Sequence, residues 1–177
     1  MKTEVQVPAV AYVDPTAASR VATLHLVCGK IAAGKSTLTS QLAREPNTVL
    51  ISEDKLLAAL YPGEIQSLAD YVRCTTRLRS ALQGVIEDIL TAGSSVVLDF
   101  PANTLASRNW MKTILAKTSA AHCLHYLDVS DEECKRRLSR RNEEAAHQFQ
   151  TSEAEFDQIT QFFVAPTDEE GFNVKRE

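Results

Sequence analysis

Gly29-Lys30-Ile31-Ala32-Ala33-Gly34-Lys35-Ser36, with Thr37 following, is the stretch whose reading decides the fold. Its two glycines, lysine and hydroxyl fit G-x-x-x-x-G-K-[ST], the spacing of a phosphate-binding loop. Leu24-His25-Leu26-Val27-Cys28 before it reads as a short buried strand. Ser36 to Arg44 after it carries Leu38 and Leu42 one helical turn apart. Strand, glycine loop and helix is the order this motif requires. Gly29 and Gly34 are expected to take backbone angles that a side chain forbids, turning successive N–H groups inward around an anion. The helix start near Lys35 adds unpaired N–H groups and the positive end of its dipole. Lys35 then brings a full charge to the outer phosphates of a nucleotide, and the Ser36 hydroxyl is an expected ligand of Mg²⁺. The expected phosphate cradle is therefore Gly29, Lys30, Ile31, Ala32, Ala33, Gly34, Lys35, Ser36 and Thr37, Lys30 standing at the apex with a solvated alternative.

Around this loop the composition is that of a single globular domain. The chain has 177 residues, 44% apolar and 24% charged, enough for one well-covered core. A formal charge of −4 counts against a broad nucleic-acid footprint, although it leaves room for a local basic groove. No apolar run approaches the roughly 20 residues that span a membrane. Met1 to Val13 lacks an apolar stretch of signal-peptide length, and a cytoplasmic location is expected. Cys28, Cys74, Cys123 and Cys134 form no C-x-x-C pair and read as reduced thiols. His122-Cys123-Leu124-His125 invites a metal reading, but three-residue spacing on a strand sends its histidines to opposite faces.

Taken in order, residues 1–20 read as an N-terminal arm and residues 21–177 as the domain. Thr48-Val49-Leu50-Ile51 is a second strand. It runs into Ser52-Glu53-Asp54-Lys55, where a helix bearing Leu56, Leu57 and Leu60 starts and which Tyr61-Pro62-Gly63 breaks. From Ser67 to Thr91 apolar residues recur at three- and four-residue spacing, with Gly93 placed as the C′ residue. Arg73, Arg77, Arg79, Glu87 and Asp88 are assigned to the opposite face. Ser95-Val96-Val97-Leu98-Asp99 reads as a central strand, apolar on both faces. Ala106 to Lys117 reads as a helix, His122 to Leu127 as a fourth strand, and Gly171 to Val174 as a last short one. Ser130 to Glu133 and Ser152 to Glu155 have capping-box spacing and open two further helices. Strands alternating with helices predict an α/β three-layer sandwich on a mainly parallel five-stranded sheet, the P-loop NTPase architecture.

Three more positions carry chemistry. Asp99 ends an apolar strand, where a carboxylate helps hold Mg²⁺ or its waters; its ordinary alternative is a turn or cap. Asp54 follows the second strand and should reach the same sheet edge. There it either accepts the proton of an attacking hydroxyl or caps the Lys55 helix, with Glu53 the second candidate base. Arg136, Arg137, Arg140 and Arg141 form two i,i+4 pairs on one helix. They read either as a solvated face balanced by glutamates or as a lid, about residues 136–151, whose arginines offset charge on transferring phosphates. Arg137, Arg140 and Arg141 are the candidates.

With these residues in place, residues 22 to 175 resemble the small ATP-dependent kinases grouped as AAA-family ATP-binding proteins. Those stand beside polynucleotide kinase, gluconate kinase, chloramphenicol phosphotransferase and zeta toxin. The resemblance implies ATP and Mg²⁺ as cofactors, Asp54 as base, Arg137 or a neighbour as the lid arginine, and Asp99 with Asn103 and Arg108 as a substrate-side segment. It also implies that Pro166 to Gly171 lines the adenine. Two positions depart from the pattern: Leu57 stands where relatives place an acceptor-gripping arginine, and Phe100-Pro101 where a small residue is usual. The reading is transfer of the γ-phosphate of ATP to a hydroxyl of a small molecule. A polynucleotide 5′-hydroxyl kinase and a nucleotide-dependent ATPase or binding switch are the competing readings.

Overall fold

The computed structural model describes residues 21–143 and 151–177; the expected arm, 1–20, and residues 144–150 of the expected lid lie outside them. The glycine loop sits between strand β1 (Thr23–Cys28) and helix α1 (Lys35–Leu42). There follow β2 (Thr48–Ser52), α2 (Glu53–Leu60), α3 (Leu68–Thr91), β3 (Ser95–Pro101), α4 (Leu105–Leu115) and β4 (Ala121–Tyr126). The chain ends with α5 (Asp131–Glu143), α6 (Glu153–Thr160) and β5 (Val174–Arg176). Among the described residues the five strands form one all-parallel sheet in the order β2-β3-β1-β4-β5. The helices that cross between parallel strands cover its faces, as that arrangement demands. The C-terminal ends of the strands, and with them the phosphate loop, share one edge.

One face of the sheet holds the main core. Leu24, Leu26 and Cys28 of β1, Val96, Leu98 and Phe100 of β3 and Leu124 of β4 pack against Leu57, Cys74, Leu78, Ile86, Leu90, Met111 and Ile114 of α2, α3 and α4. Burial of each such side chain is worth about 1.5–3 kcal/mol. α3 divides along its length. Its C-terminal half buries Ile86 and Leu90 as the periodicity predicts, whereas Leu68 and Val72 near its start are 59% and 54% exposed. Gly93 takes the C′ position with φ +87°.

Several boundaries differ from expectation. β3 continues past Asp99 to Pro101, because its register with β1 slips: Leu26 pairs with Leu98 but Val27 with Pro101. Such a slip bends a strand and re-aims the residues inside it, here Asp99 and Phe100. The last strand begins at Val174, not Gly171, since Asp168–Glu170 first forms a 3₁₀ turn closed by Gly171 at φ +73°. That turn is pinned by Arg108. Its guanidinium is fully buried and donates through Nε and one terminal nitrogen to both oxygens of Glu170 at 2.6 and 2.9 Å. Its other nitrogen donates to the carbonyls of Ala102 and Val164 at 2.9 and 2.8 Å. Arg108 thus closes the fold and does not reach the substrate side. The segment so held begins at the phosphate-loop edge, where the Val164 N–H donates to the carbonyl of Asn103, and ends with Asn173 against His122.

A polar chain links the strands on the other face. His25 and His125 lie 3.1 Å apart through ring nitrogens, and His125 meets Glu177 at 2.6 Å. Burial, then His125, lowers the pKa of His25 against a small opposing effect of Glu45. The unfolded chain therefore binds a proton near pH 6.5 that folded His25 refuses, and stability is lost as pH falls below about 6.5. Glu177, held low first by its hydrogen bond from His125, acts in the same direction at more acid pH. Urea unfolding at pH 7.5 and 5.5 should show this loss, and His25→Gln should reduce the difference between the two.

Candidate active site

The loop is seated by close contact as much as by backbone angles. Gly34 is the N-cap of α1 with φ +109°, and Ala32 is left-handed at φ +59°; both serve the inward turn of the N–H groups. Gly29 has another reason to be glycine. A Cβ there would stand 3.1 Å from Leu127 Cβ and 3.2 Å from both Ala33 Cβ and the Leu127 carbonyl. The expectation of a special conformation at Gly29 is thus replaced by one of space. Asn103 then clamps it: its amide nitrogen donates to the Gly29 carbonyl and its oxygen accepts the Gly29 N–H, both at 2.9 Å. Expected on the substrate side, Asn103 belongs to the loop.

Lys35 donates to the carbonyls of Gly29 and Lys30 at 2.6 and 2.7 Å, so its ammonium lies inside the loop's curve. Burial lowers its pKa to about 8, against the pull of Cys28, Asp99, Cys134 and Asp54. Lys30 leans away from that curve, paired with Asp131 at the start of α5 and 5.7 Å over the Phe163 ring. Ser36 and Thr37 are exposed at the first turn of α1.

The acids stand where strand ends deliver them. Ser52 and Asp99 are register partners on β2 and β3, and the Ser52 hydroxyl approaches Asp99 at 3.5 Å. Burial and the neighbouring Asp54 raise the pKa of Asp99, while Lys35, Ser52 and Thr39 oppose them. Two carboxylates beside one lysine, with an exposed serine hydroxyl on the adjoining helix, form a hard oxygen set that fits Mg²⁺. Ser36 and Asp99 would hold it, and bound cation would relieve the Asp54–Asp99 repulsion. Asp54 is exposed in the first turn of α2. The N-cap is Ser52, so Asp54 is not the cap, and it makes no hydrogen bond to the described residues. Glu53, the second candidate base, is fully buried and accepts from Tyr71 and Arg79; it is spoken for.

The arginine helix separates its members by direction. Arg136 is exposed and paired with Glu133. Arg137 donates to Glu133 at 2.6 Å and to the Ala33 carbonyl of the phosphate loop at 3.1 Å. Arg141 lies within the electrostatic reach of Asp54, and burial lowers its pKa. Arg140 has interactions of its own. The helix does not stand free as a lid from residue 136 onward. Cys134 and Leu138 are buried with Phe156 of α6 against Ala33 and Leu127, with Ile31 and Ala32 alongside. The base of the expected lid is therefore docked on the loop's own apolar residues. Ser152 and Glu155 form the full capping box that opens α6, whereas at α5 Glu133 is drawn to the arginines.

Sequence reasoning missed Arg79 and Tyr71, assigning Arg79 to the outer face of α3. Both turn toward Glu53. The available signal was Arg79's place directly after Leu78, at the border of the apolar stripe.

The sequence profile of the AAA domain family matches residues 24–166. A search of curated proteins finds no significant match. Among solved structures, Kti12 of Chaetomium thermophilum in complex with ADP-AlF3 is 16% identical, covering 87% of this chain and 88% of that one, with a TM-score of 0.64. A sugar kinase from Janibacter sp. HTCC2649 is 19% identical, with 88% and 85% covered and a TM-score of 0.59. A chain of the Pnkp1/Rnl/Hen1 RNA repair complex is 19% identical over 85% of this chain and 47% of its own, at a TM-score of 0.61. Identities this low carry the fold, that of kinase-like P-loop NTPases, and not the function.

Gly29→Ala should push the loop away from Leu127 and Ala33. Because both neighbours are fixed, one a backbone carbonyl, affinity for ADP measured by calorimetry should fall about tenfold or more while the chain stays folded.

Proposed function

The chain belongs to the AAA domain family, and from that premise we propose that it is an ATP-dependent phosphotransferase acting on a hydroxyl of a small molecule. The observation that carries this reading is the convergence of Lys35, Asp54 and Asp99 on one sheet edge, where both carboxylates act on Lys35 and Asp54 acts on Asp99. A nucleotide-binding switch needs the loop and a metal ligand. It does not need a second, uncommitted carboxylate facing them.

The residues divide the work as follows. Backbone N–H groups of the loop and the start of α1 cradle the phosphates, and Lys35 supplies a full charge to them. Mg²⁺, held by Ser36 and Asp99, would neutralise charge on the phosphates. Asp54 accepts the proton of the acceptor hydroxyl as the oxygen attacks the γ-phosphorus and the bond to the ADP oxygen breaks. Arg137 and Arg141, with Arg140 beside them, meet charge on the transferring group from the α5 side. The acidic balance of the chain favours a small acceptor. The solved relative from an RNA repair complex supplies the competing one, a polynucleotide 5′-hydroxyl. A screen of sugars, nucleosides, aminoglycosides and oligonucleotides for acceptor-dependent ADP formation separates them.

Two substitutions test the assignment. Lys35→Ala should abolish productive ATP use with the fold retained, a loss of about 2–4 kcal/mol of transition-state stabilisation; a folded variant turning over at the wild-type rate would remove the loop from the reaction. Asp54→Asn should slow acceptor phosphorylation about 10²–10⁴-fold with ATP affinity unchanged. Steady-state kinetics and nucleotide titration on the same preparation check both.

A further inference from the structure

Next to Asp54 lies a buried polar assembly that the proposed chemistry does not use. Glu53 has no exposed surface, yet both its carboxylate oxygens are engaged. Tyr71 donates to one at 2.6 Å; Nε and a terminal nitrogen of Arg79 donate to the other at 3.2 and 3.0 Å. Burial and Glu53 raise the pKa of Tyr71, so the phenol remains a donor. The remaining terminal nitrogen of Arg79 donates to the Ser107 hydroxyl at 3.3 Å, and Ser107 is tied to Thr104, the N-cap of α4. The guanidinium lies 5.4 Å over the Trp110 ring, and Trp110 packs on Phe100, the residue after Asp99. One side chain from the middle of α3 therefore touches the starts of α2 and α4 and backs onto β3. Those are the elements that present Asp54 and Asp99.

A pair this deeply buried adds little net stability over an apolar pair of the same shape. What it adds is a single geometry, because a planar guanidinium bonded on three sides leaves its partners one arrangement. Leu57, where relatives carry an arginine, is buried in the core and cannot serve in that way. Resting on the reading of Asp54 as base, we propose that Arg79 is a positioning residue for transfer, fixing Asp54 through Glu53 and Asp99 through the Trp110–Phe100 contact.

The test compares wild type, Asp54→Asn, Arg79→Lys and the double variant Glu53→Gln/Arg79→Met, which leaves no unpaired buried charge. Binding of Mg·ADP is measured with and without aluminium fluoride, a mimic of the transferring phosphoryl group, together with amide exchange over residues 53–57. The expected result is a gain on adding fluoride in the wild type, with Mg·ADP affinity in its absence equal in Asp54→Asn and no more than severalfold lower in the Arg79 variants, where Asp99 is held less firmly. Asp54→Asn and both Arg79 variants should lose that gain by about 10–100-fold, the cost of a misplacement of about 1 Å. Exchange over residues 53–57 should quicken in the Arg79 variants alone. Arg79 variants with the full fluoride gain, beside an Asp54→Asn that loses it, would make the assembly purely structural and overturn the proposal with the transfer reading intact. No gain in the wild type, or full gain in Asp54→Asn, would remove the transfer reading and this proposal with it. Should the double variant not fold, Arg79→Lys decides alone, since it keeps the charge and gives up the planar fork.

Discussion

The structure depends on the seating of the phosphate loop at Gly29. An anion cradle made of backbone N–H groups works only if the backbone is held still, since its dipoles stabilise charge by being already oriented. Here the loop is gripped from two directions. Asn103 bonds both polar groups of the Gly29 peptide from the turn after β3. Leu127 from the turn after β4, with Ala33 of the loop itself, closes against the missing side chain. The strands flanking β1 therefore each send a residue to the same glycine, and the central position of β1 is what makes this possible.

The same seating explains why there are two apolar clusters. The main core lies under α2, α3 and α4. The second, of Cys134, Leu138, Phe156, Ala33 and Leu127, lies at the loop itself and joins the arginine helix to it. Ile31, Ala32 and Ala33 are the variable positions of the loop motif, where the expected cradle uses only the backbone, and their side chains form an apolar floor for α5. Arg137 reaches the Ala33 carbonyl because Leu138 next to it is buried there. The arginine helix is thereby docked on the loop through Cys134 and Leu138, and beyond them Arg141 lies within the electrostatic reach of Asp54.

How far the sequence could be read follows from the range of the forces involved. The strands, the glycine loop and most helix ends are set by local periodicity, capping and glycine, and they were legible. The order β2-β3-β1-β4-β5 was not legible, because parallel crossovers narrow the possible orders without choosing one. The role of Arg108 was not legible. A fully buried arginine depends on Glu170, 62 residues away, and nothing local distinguishes it from a substrate-binding one. The slip in β3 was hidden for the same reason: Asp99 and Phe100 lie in the slip only when Leu26 and Val27 are paired across it. For Asp54 the spacing identified the residue and left its task open between base and cap. Ser52 as N-cap removes the cap, a point that rests on one backbone geometry.

The two sides of the site also differ in how they meet charge. On the nucleotide side the cations face the loop directly: Lys35 within its curve and Arg137 at its rim, the former held at the cost of a depressed pKa. On the other side of Asp54 the guanidinium of Arg79 is already spent on Glu53 and Ser107, so it is a fixed support and not a free cation. At the same edge Asp54 and Asp99 stand beside Lys35, and Asp54 also acts on Arg141, so charges of both signs meet there. On the proposed reading, that meeting of charges suits a proton passing from a hydroxyl to Asp54 while Lys35 faces the phosphates.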